Sequence, residues 1–287
     1  MGDRAAVARG NAVEIYELPS GRLLHTVMHS AAVSAVAFAS TGRDILSGAV
    51  DGSLLVTRDT GALLALPKLS DGVDAVGFLP DGRLVAADAR RRLRIYDANG
   101  AMLSQFEVAE RVLALRMSPD GRRLLTLPAA TAKVAPAELW DVEHYRVVAS
   151  LDERGQGRVF SARFVADGAI LTACGDGNAR RWDEVTGQLQ RKYLGGTRFL
   201  AEVAPSADGA IVVAGDADGL LRFWDAASGQ PLWTMRAHKS HVIGIRIDGN
   251  DIVTRGFLGD ITRWTLPQPE RVIEACGNHE LCATVIK

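Results

Sequence analysis

The sequence predicts an all-β chain: a seven-bladed β-propeller of four-stranded antiparallel blades, closed by the C-terminal strand completing the N-terminal blade. Three observations predict it. First, a glycine returns about every 40 residues, at Gly2, Gly42, Gly82, Gly121, Gly168, Gly209 and Gly249. Each sits between two alternating apolar runs, in turns such as Pro80-Asp81-Gly82 and Pro119-Asp120-Gly121. Second, each unit carries a later strand that ends on an aromatic at the same offset. Third, the distance from Gly249 through Lys287 and on to Gly2 is 38 plus 2, again 40, so the repeat has the period of a closed ring. Equal strand units that close on themselves leave only short, protected sheet edges.

Within a unit the strands read a to d. Strands a and b flank the glycine turn. Strand c is the aromatic one: Val13-Glu14-Ile15-Tyr16, Leu93-Arg94-Ile95-Tyr96-Asp97, Glu138-Leu139-Trp140-Asp141, Arg180-Arg181-Trp182-Asp183, Arg222-Phe223-Trp224-Asp225 and Thr262-Arg263-Trp264. Thr57 holds that mark in the second unit. A turn such as Thr186-Gly187 or Ser228-Gly229 then leads to strand d, glycine supplying the positive φ of a tight hairpin. At the ends, Leu281–Ile286 reads as a strand a without a strand b, and Arg4–Arg9 as a strand b without a strand a. The C-terminal strand is therefore expected to complete the first blade, and removal of 279–287 to lower the melting temperature far more than trimming an ordinary tail.

On these residues the chain resembles the WD-repeat propeller family along its whole length, 1–287, as one domain. Trp140, Trp182, Trp224 and Trp264 stand at the strand c mark, and the first three are followed by Asp. His29 and His238 stand at the family's loop position before strand a, with Met28 and Ala237 in place of the preceding Gly. The resemblance implies a structural network of loop His, strand b hydroxyl, b–c turn Asp and strand c Trp. Its members here are His29, Ser47 and Asp51; Thr172, Asp176 and Trp182; Asp218 and Trp224; and His238, Thr254 and Trp264. Leu258 replaces the Asp of the last unit, Ala214 the hydroxyl of the sixth, and Arg90 stands at the Asp position of the third. The resemblance also implies a non-catalytic platform for protein–protein interaction, in bacteria often the sensor or regulatory part of a larger signalling protein.

Composition narrows the alternatives. No apolar run of about 18 residues is present, so no membrane span is expected. The opening Met-Gly-Asp-Arg-Ala-Ala has no apolar signal stretch, and three cysteines form no disulfide pattern; both point to a reducing, cytoplasmic setting. A net charge of −1 gives no bulk attraction for nucleic acid, which is not the expected partner. Arginine (28) far exceeds lysine (5), which suggests a GC-rich bacterial genome.

Catalytic readings are weaker. His29, Ser47 and Asp51 could be read as a hydrolytic triad, but loss of different members in different units suits redundant structural supports better. Cys276, His279 and Cys282 resemble half a zinc motif without a fourth ligand. Neither metal nor cofactor is expected. The rival from another class is a propeller hydrolase or lactonase with a metal in the central channel.

Departures from the repeat locate the partner. Gly121 to Trp140 takes 19 residues against 14 or 15 elsewhere, through an enlarged b–c loop at 128–137. The d–a loop at 151–158 is also long. Both loop types open on one face of a propeller. Arg90, Arg91, Lys133, Arg158, Arg198, Lys239 and His241 are expected there, with Phe199 and Phe257 nearby, a set suited to an acidic or phosphorylated peptide. Trp233 is expected to lie exposed on the outer rim, a second candidate contact.

Overall fold

The structure, a computed structural model, describes residues 4–129, 135–153 and 157–265. No helix occurs among them. The chain divides into two compact units, Met1–Ser150 and Leu151–Lys287.

In the N-terminal unit, blade one contains β1 (Arg4–Arg9), β2 (Ala12–Glu17) and β3 (Leu23–Met28). Blade two follows as β4 (Val33–Phe38), β5 (Ile45–Ala49), β6 (Leu54–Thr57) and β7 (Leu63–Ala65). Blade three is β8 (Val73–Phe78), β9 (Leu84–Asp88), β10 (Arg92–Tyr96) and β11 (Met102–Glu107), and blade four is β12 (Val112–Met117), β13 (Arg123–Pro128), β14 (Ala137–Asp141) and β15 (Arg146–Leu151). The C-terminal unit carries blade five, β16 (Val159–Val165), β17 (Ala169–Cys174), β18 (Ala179–Asp183) and β19 (Leu189–Tyr193). Blade six is β20 (Leu200–Pro205), β21 (Ile211–Asp216), β22 (Leu220–Asp225) and β23 (Pro231–Arg236); blade seven is β24 (Val242–Asp248), β25 (Asp251–Gly256) and β26 (Ile261–Thr265).

Each sheet is an antiparallel meander in chain order, as the repeat predicts. Five have four strands and two have three among the described residues. The fold class is that of a seven-bladed β-propeller. The expected closing strand at 281–286 lies outside the described residues, as do Cys276, His279, Cys282 and Lys133.

The a–b turns explain the repeating glycine. Gly42, Gly82, Gly121, Gly168, Gly209 and Gly249 all have φ between 58° and 88°, a region that other L-residues enter only at a cost. At Gly121 a side chain would also collide with the Pro80 ring, which lies 2.4 Å from the place a Cβ would take.

Hydrophobic residues pack between neighbouring sheets rather than in one central mass. Val13, Ile15 and Val27 of blade one meet Ile45 of blade two. Leu46, Leu54 and Val56 meet Val76, Phe78 and Leu84 of blade three. In the C-terminal unit, Leu171 and Tyr193 of blade five pack with Val203, Val212 and Trp224 of blade six. Val213 and Phe223 then pack with Val242, Ile245 and Ile252 of blade seven. Each fully buried aliphatic or aromatic side chain contributes about 1.5–3 kcal/mol, so stability rests on nearest-neighbour interfaces.

Candidate functional site

Two backbone devices set the loop-bearing edge of the blades. In blades two to seven, the N–H just after strand b donates to the carbonyl just before strand a. The pairs are Val50 to Ala32, Ala89 to Gly72, Ala129 to Arg111, Gly175 to Arg158, Ala217 to Phe199 and Phe257 to His241, at 2.7–3.1 Å. The b–c and d–a loops of each blade are therefore tied side by side. The second residue of strand a is a β-bulge in the same blades: Ser34, Asp74, Leu113, Phe160, Ala201 and Ile243 have no partner in the register of strand b. A bulge bends the strand and re-aims its side chain, often beside functional sites. The repeat thus fixes an equivalent position before every bulge, and the sequence fills it as Ala32, Gly72, Arg111, Arg158, Phe199 and His241.

In the C-terminal unit these positions join into one ladder. The Arg158 guanidinium lies 4.3 Å from the Phe160 ring centre. Phe160 stacks on Phe199, with centroids 4.5 Å apart and planes at 13°. Phe199 meets the edge of His241 at 5.2 Å, and His241 meets Phe257 at 5.8 Å. Phe257 is 66% exposed. Offset stacks and edge contacts of this kind favour one fixed ring arrangement. Burial without a carboxylate pulls the Arg158 pKa down. Its Nε is buried with no hydrogen-bond partner.

Three of the other candidate cations are already engaged. Arg90 pairs with Asp71 at 2.7 Å, and Arg91 donates to the Ala109 carbonyl at 3.0 Å. Arg198 lies 3.7 Å from Asp218. Lys239 is exposed. Trp233 differs from its expected exposure: it is half-buried and stacks on Phe223 at 4.4 Å and 16°. The reason is cross-strand register, which pairs Trp233 with Phe223 and makes the indole a cover for the neighbouring strand β22.

Beneath these loops lie buried polar networks of two kinds. In blade two, His29 Nε2 is 2.8 Å from Ser47 Oγ and Nδ1 is 3.0 Å from Ser53 Oγ; Ser53 in turn donates to Asp51 at 2.8 Å. Burial pulls the His29 pKa down, with the Asp51 charge opposing. Lys68 first, then Ser30 and Ser53, hold the Asp51 carboxyl well below its usual range. In blade seven, His238 Nε2 is 2.8 Å from Thr254 Oγ1, to which Trp264 Nε1 donates at 3.0 Å. His238 Nδ1 bonds Asp260, a carboxylate absent from the sequence expectation for this blade. In blade five, Trp182 Nε1 donates to Thr172 at 2.9 Å, while Arg180 clamps Asp176 at 2.6 Å and Glu153 at 2.6 Å.

The second kind replaces histidine with an aspartate–arginine core. Asp88, at the end of β9, is fully buried and accepts from Arg94 at 2.8 Å and Arg92 at 2.9 Å, and from the backbone N–H of Arg90 and Arg92. Asp216, at the end of β21, is also fully buried; it accepts from Arg222 at 3.1 Å and from the N–H of Asp218 and Leu220. The structure therefore corrects Asp218. Its carboxyl is part-exposed beside Arg198, and Asp216 is the network acid of that blade. Trp224 likewise donates to the Leu194 carbonyl at 2.8 Å, because Ala214 offers no hydroxyl. The legible signal was an Asp followed six residues later by Arg, as in Asp88/Arg94 and Asp216/Arg222.

The family model of the WD domain, G-beta repeat, matches residues 21–57, 146–183 and 187–225. Each stretch runs from strand d of one blade through strand c of the next. The COMPASS component SWD3 of Saccharomyces cerevisiae is 29% identical over 168 residues, covering 56% of this chain and 50% of that protein. The WD repeat-containing protein RUP1 of Arabidopsis thaliana is 24% identical over 230 residues, 73% of this chain and 59% of that protein. The chain thus spans about half the length of these curated relatives. Among solved structures, the computationally designed Ika8 protein superposes with a TM-score of 0.60 over 93% of this chain and 94% of its own, at 21% identity, a likeness of fold alone. These matches, joined to the repeated sheets and the strand c tryptophans, show WD repeats at 21–57, 146–183 and 187–225 and a likeness to WD-repeat proteins.

Proposed function

We propose that the chain is a non-catalytic scaffold for protein–protein interaction, with 1–287 acting as one propeller, and that its partner docks where the b–c and d–a loops run side by side. The observation that carries this reading is the run of Arg158, Phe199 and His241 at one equivalent position in three successive blades, ending on the exposed Phe257. Rigid aromatic and arginine side chains on preorganised loops are the usual anchors of interfaces. The buried His and Asp–Arg networks serve as supports that hold those loops, which is why their members vary from blade to blade. A relative named as a component of COMPASS is in keeping with this mode by analogy. The proposal extends to a cytoplasmic, bacterial setting, with an acidic or phosphorylated protein segment as partner and a regulatory role within a larger signalling protein.

The test is capture from lysate of the source cell by the native chain and by the triple variant Arg90→Glu, Arg158→Glu, Arg198→Glu. A partner held by the first and lost by the second, at equal melting temperature, is the expected result. A partner held equally by both would remove this face from consideration and move the search to the rim around Trp233.

A further inference from the structure

Among the strongly engaged arginines, Arg92 and Arg94 share Asp88, Arg111 is bidentate to Asp74, Arg180 lies between Asp176 and Glu153, and Arg222 sits on Asp216. Arg158 breaks this pattern. It is half-buried, its planar face is fixed against Phe160, and its Nε is sealed without an acceptor. No carboxylate among the described residues pairs with it. With Nε sealed, only the terminal nitrogens of Arg158 can meet an incoming carboxylate, and a planar guanidinium already held flat against Phe160 is prepared for a carboxylate fork. At the other end of the ladder, Phe257 exposes most of its ring. The contact steps of 4.3, 4.5, 5.2 and 5.8 Å make the path at most about 20 Å, the reach of roughly six extended residues. Exposed Lys239 lies two residues from His241 along the same loop and adds positive charge.

Resting on the scaffold reading above, we infer that the Arg158–Phe160–Phe199–His241–Phe257 ladder is a docking surface for an extended acidic peptide segment. A glutamate or aspartate carboxylate accepts from Arg158, and an aromatic or large apolar side chain one ladder-length away packs on Phe257. Charge complementarity selects this occupant: the site offers an unmet cation, its rings offer stacking surface, and no acid of the described ladder competes.

The experiment uses the full chain and an array of fluorescein-labelled hexapeptides, each with one glutamate and one phenylalanine at every spacing and in both orders. Binding is read by anisotropy for the native chain, Arg158→Gln and Phe257→Ala, with melting temperatures alongside. The expected result is a subset with the two residues near opposite ends that binds the native chain. Those peptides should weaken tenfold or more with either variant, and equally when their glutamate becomes glutamine. If Arg158→Gln does not fold, Arg158→Lys keeps the charge, removes the planar fork and should still weaken binding. No bound hexamer, or binding indifferent to Arg158, would each overturn the inference. If the ladder fails in this way while the triple variant still loses its lysate partner, the scaffold reading stands; if the triple variant keeps its partner, that reading falls separately.

Discussion

Blades two to four of the N-terminal unit and five to seven of the C-terminal unit share the strand a bulge and its backbone tie but fill the position before the bulge differently. Before the bulge, the first unit carries Ala32, Gly72 and Arg111, and Arg111 is consumed by Asp74 on the bulge of the preceding blade. The second unit carries Arg158, Phe199 and His241, which touch one another through ring contacts, with Phe160 between the first two. A repeat fixes geometry by backbone hydrogen bonds and leaves chemistry to whichever side chain fills the repeated place. One unit fills it with small or self-satisfied groups, and the other with an open aromatic–cationic edge.

Four measurements break or sharpen that contrast. The largest effect is expected where the units should not differ. Asp88→Ala in the first unit leaves the buried Arg94 without its carboxylate and should cost about 3–5 kcal/mol in denaturant unfolding; Asp216→Ala in the second leaves the half-buried Arg222 with its bond to the Gly195 carbonyl and should cost about 2–4 kcal/mol. A loss under about 1 kcal/mol in either would show that the two networks are not equivalent supports.

Next is transfer of the aromatic position. A Cβ at Gly72 would lie 2.8 Å from the Val50 carbonyl oxygen, so Gly72→Phe should destabilise by about 1–3 kcal/mol. Ala32→Phe, at an exposed site, should stay within about 0.5 kcal/mol. Equal tolerance of both would mean that packing did not keep the ladder out of blade three.

The histidine networks then separate by pH. Burial lowers the folded His29 pKa below its ordinary 6.5, so its neutral form is the one the fold favours. That contribution is complete above about pH 6.5 and is lost as pH falls from there through the lower folded value. The bond from His238 lowers the Asp260 pKa below its ordinary 3.8, so its contribution is present above that pH and lost beneath it. Melting temperature should therefore decline in two stages on acidification, and His29→Gln should flatten only the upper one. An unchanged upper stage in that variant would assign it to another group.

The smallest effect is at Arg91, which has φ 62° where the b–c turns at Gly52, Gly177, Gly219 and Gly259 place glycine. Relief of left-handed strain, set against the loss of its bond to Ala109, gives Arg91→Gly a gain of about 0.5 kcal/mol. A loss of stability would mean that the Ala109 contact outweighs the strain.

Much of the strand plan was legible because its causes are local. Positive φ at the a–b turn demands glycine, and a sheet buried on both faces demands apolar runs, so Gly82 and Leu84–Asp88 announce themselves. The network acids were harder. Asp216 and Asp218 sit two residues apart, and only burial tells which one holds Arg222. Asp260 follows the turn glycine instead of preceding it, and becomes a partner of His238 only when the loop folds back. Trp233 looked exposed by position, yet cross-strand pairing laid it on Phe223.

By itself the sequence determined the seven-fold period and the order of strands in each described sheet. These follow from short-range rules of alternation, turn dihedrals and repeat length. Only the tertiary structure decided that Arg158, Phe160, Phe199, His241 and Phe257 form one continuous ladder, and that Arg158 is the member left without an acid. Their separations in sequence run to about a hundred residues. Their contact depends on the stacking of successive blades and on a bulge in each first strand, which set distances that no local pattern encodes.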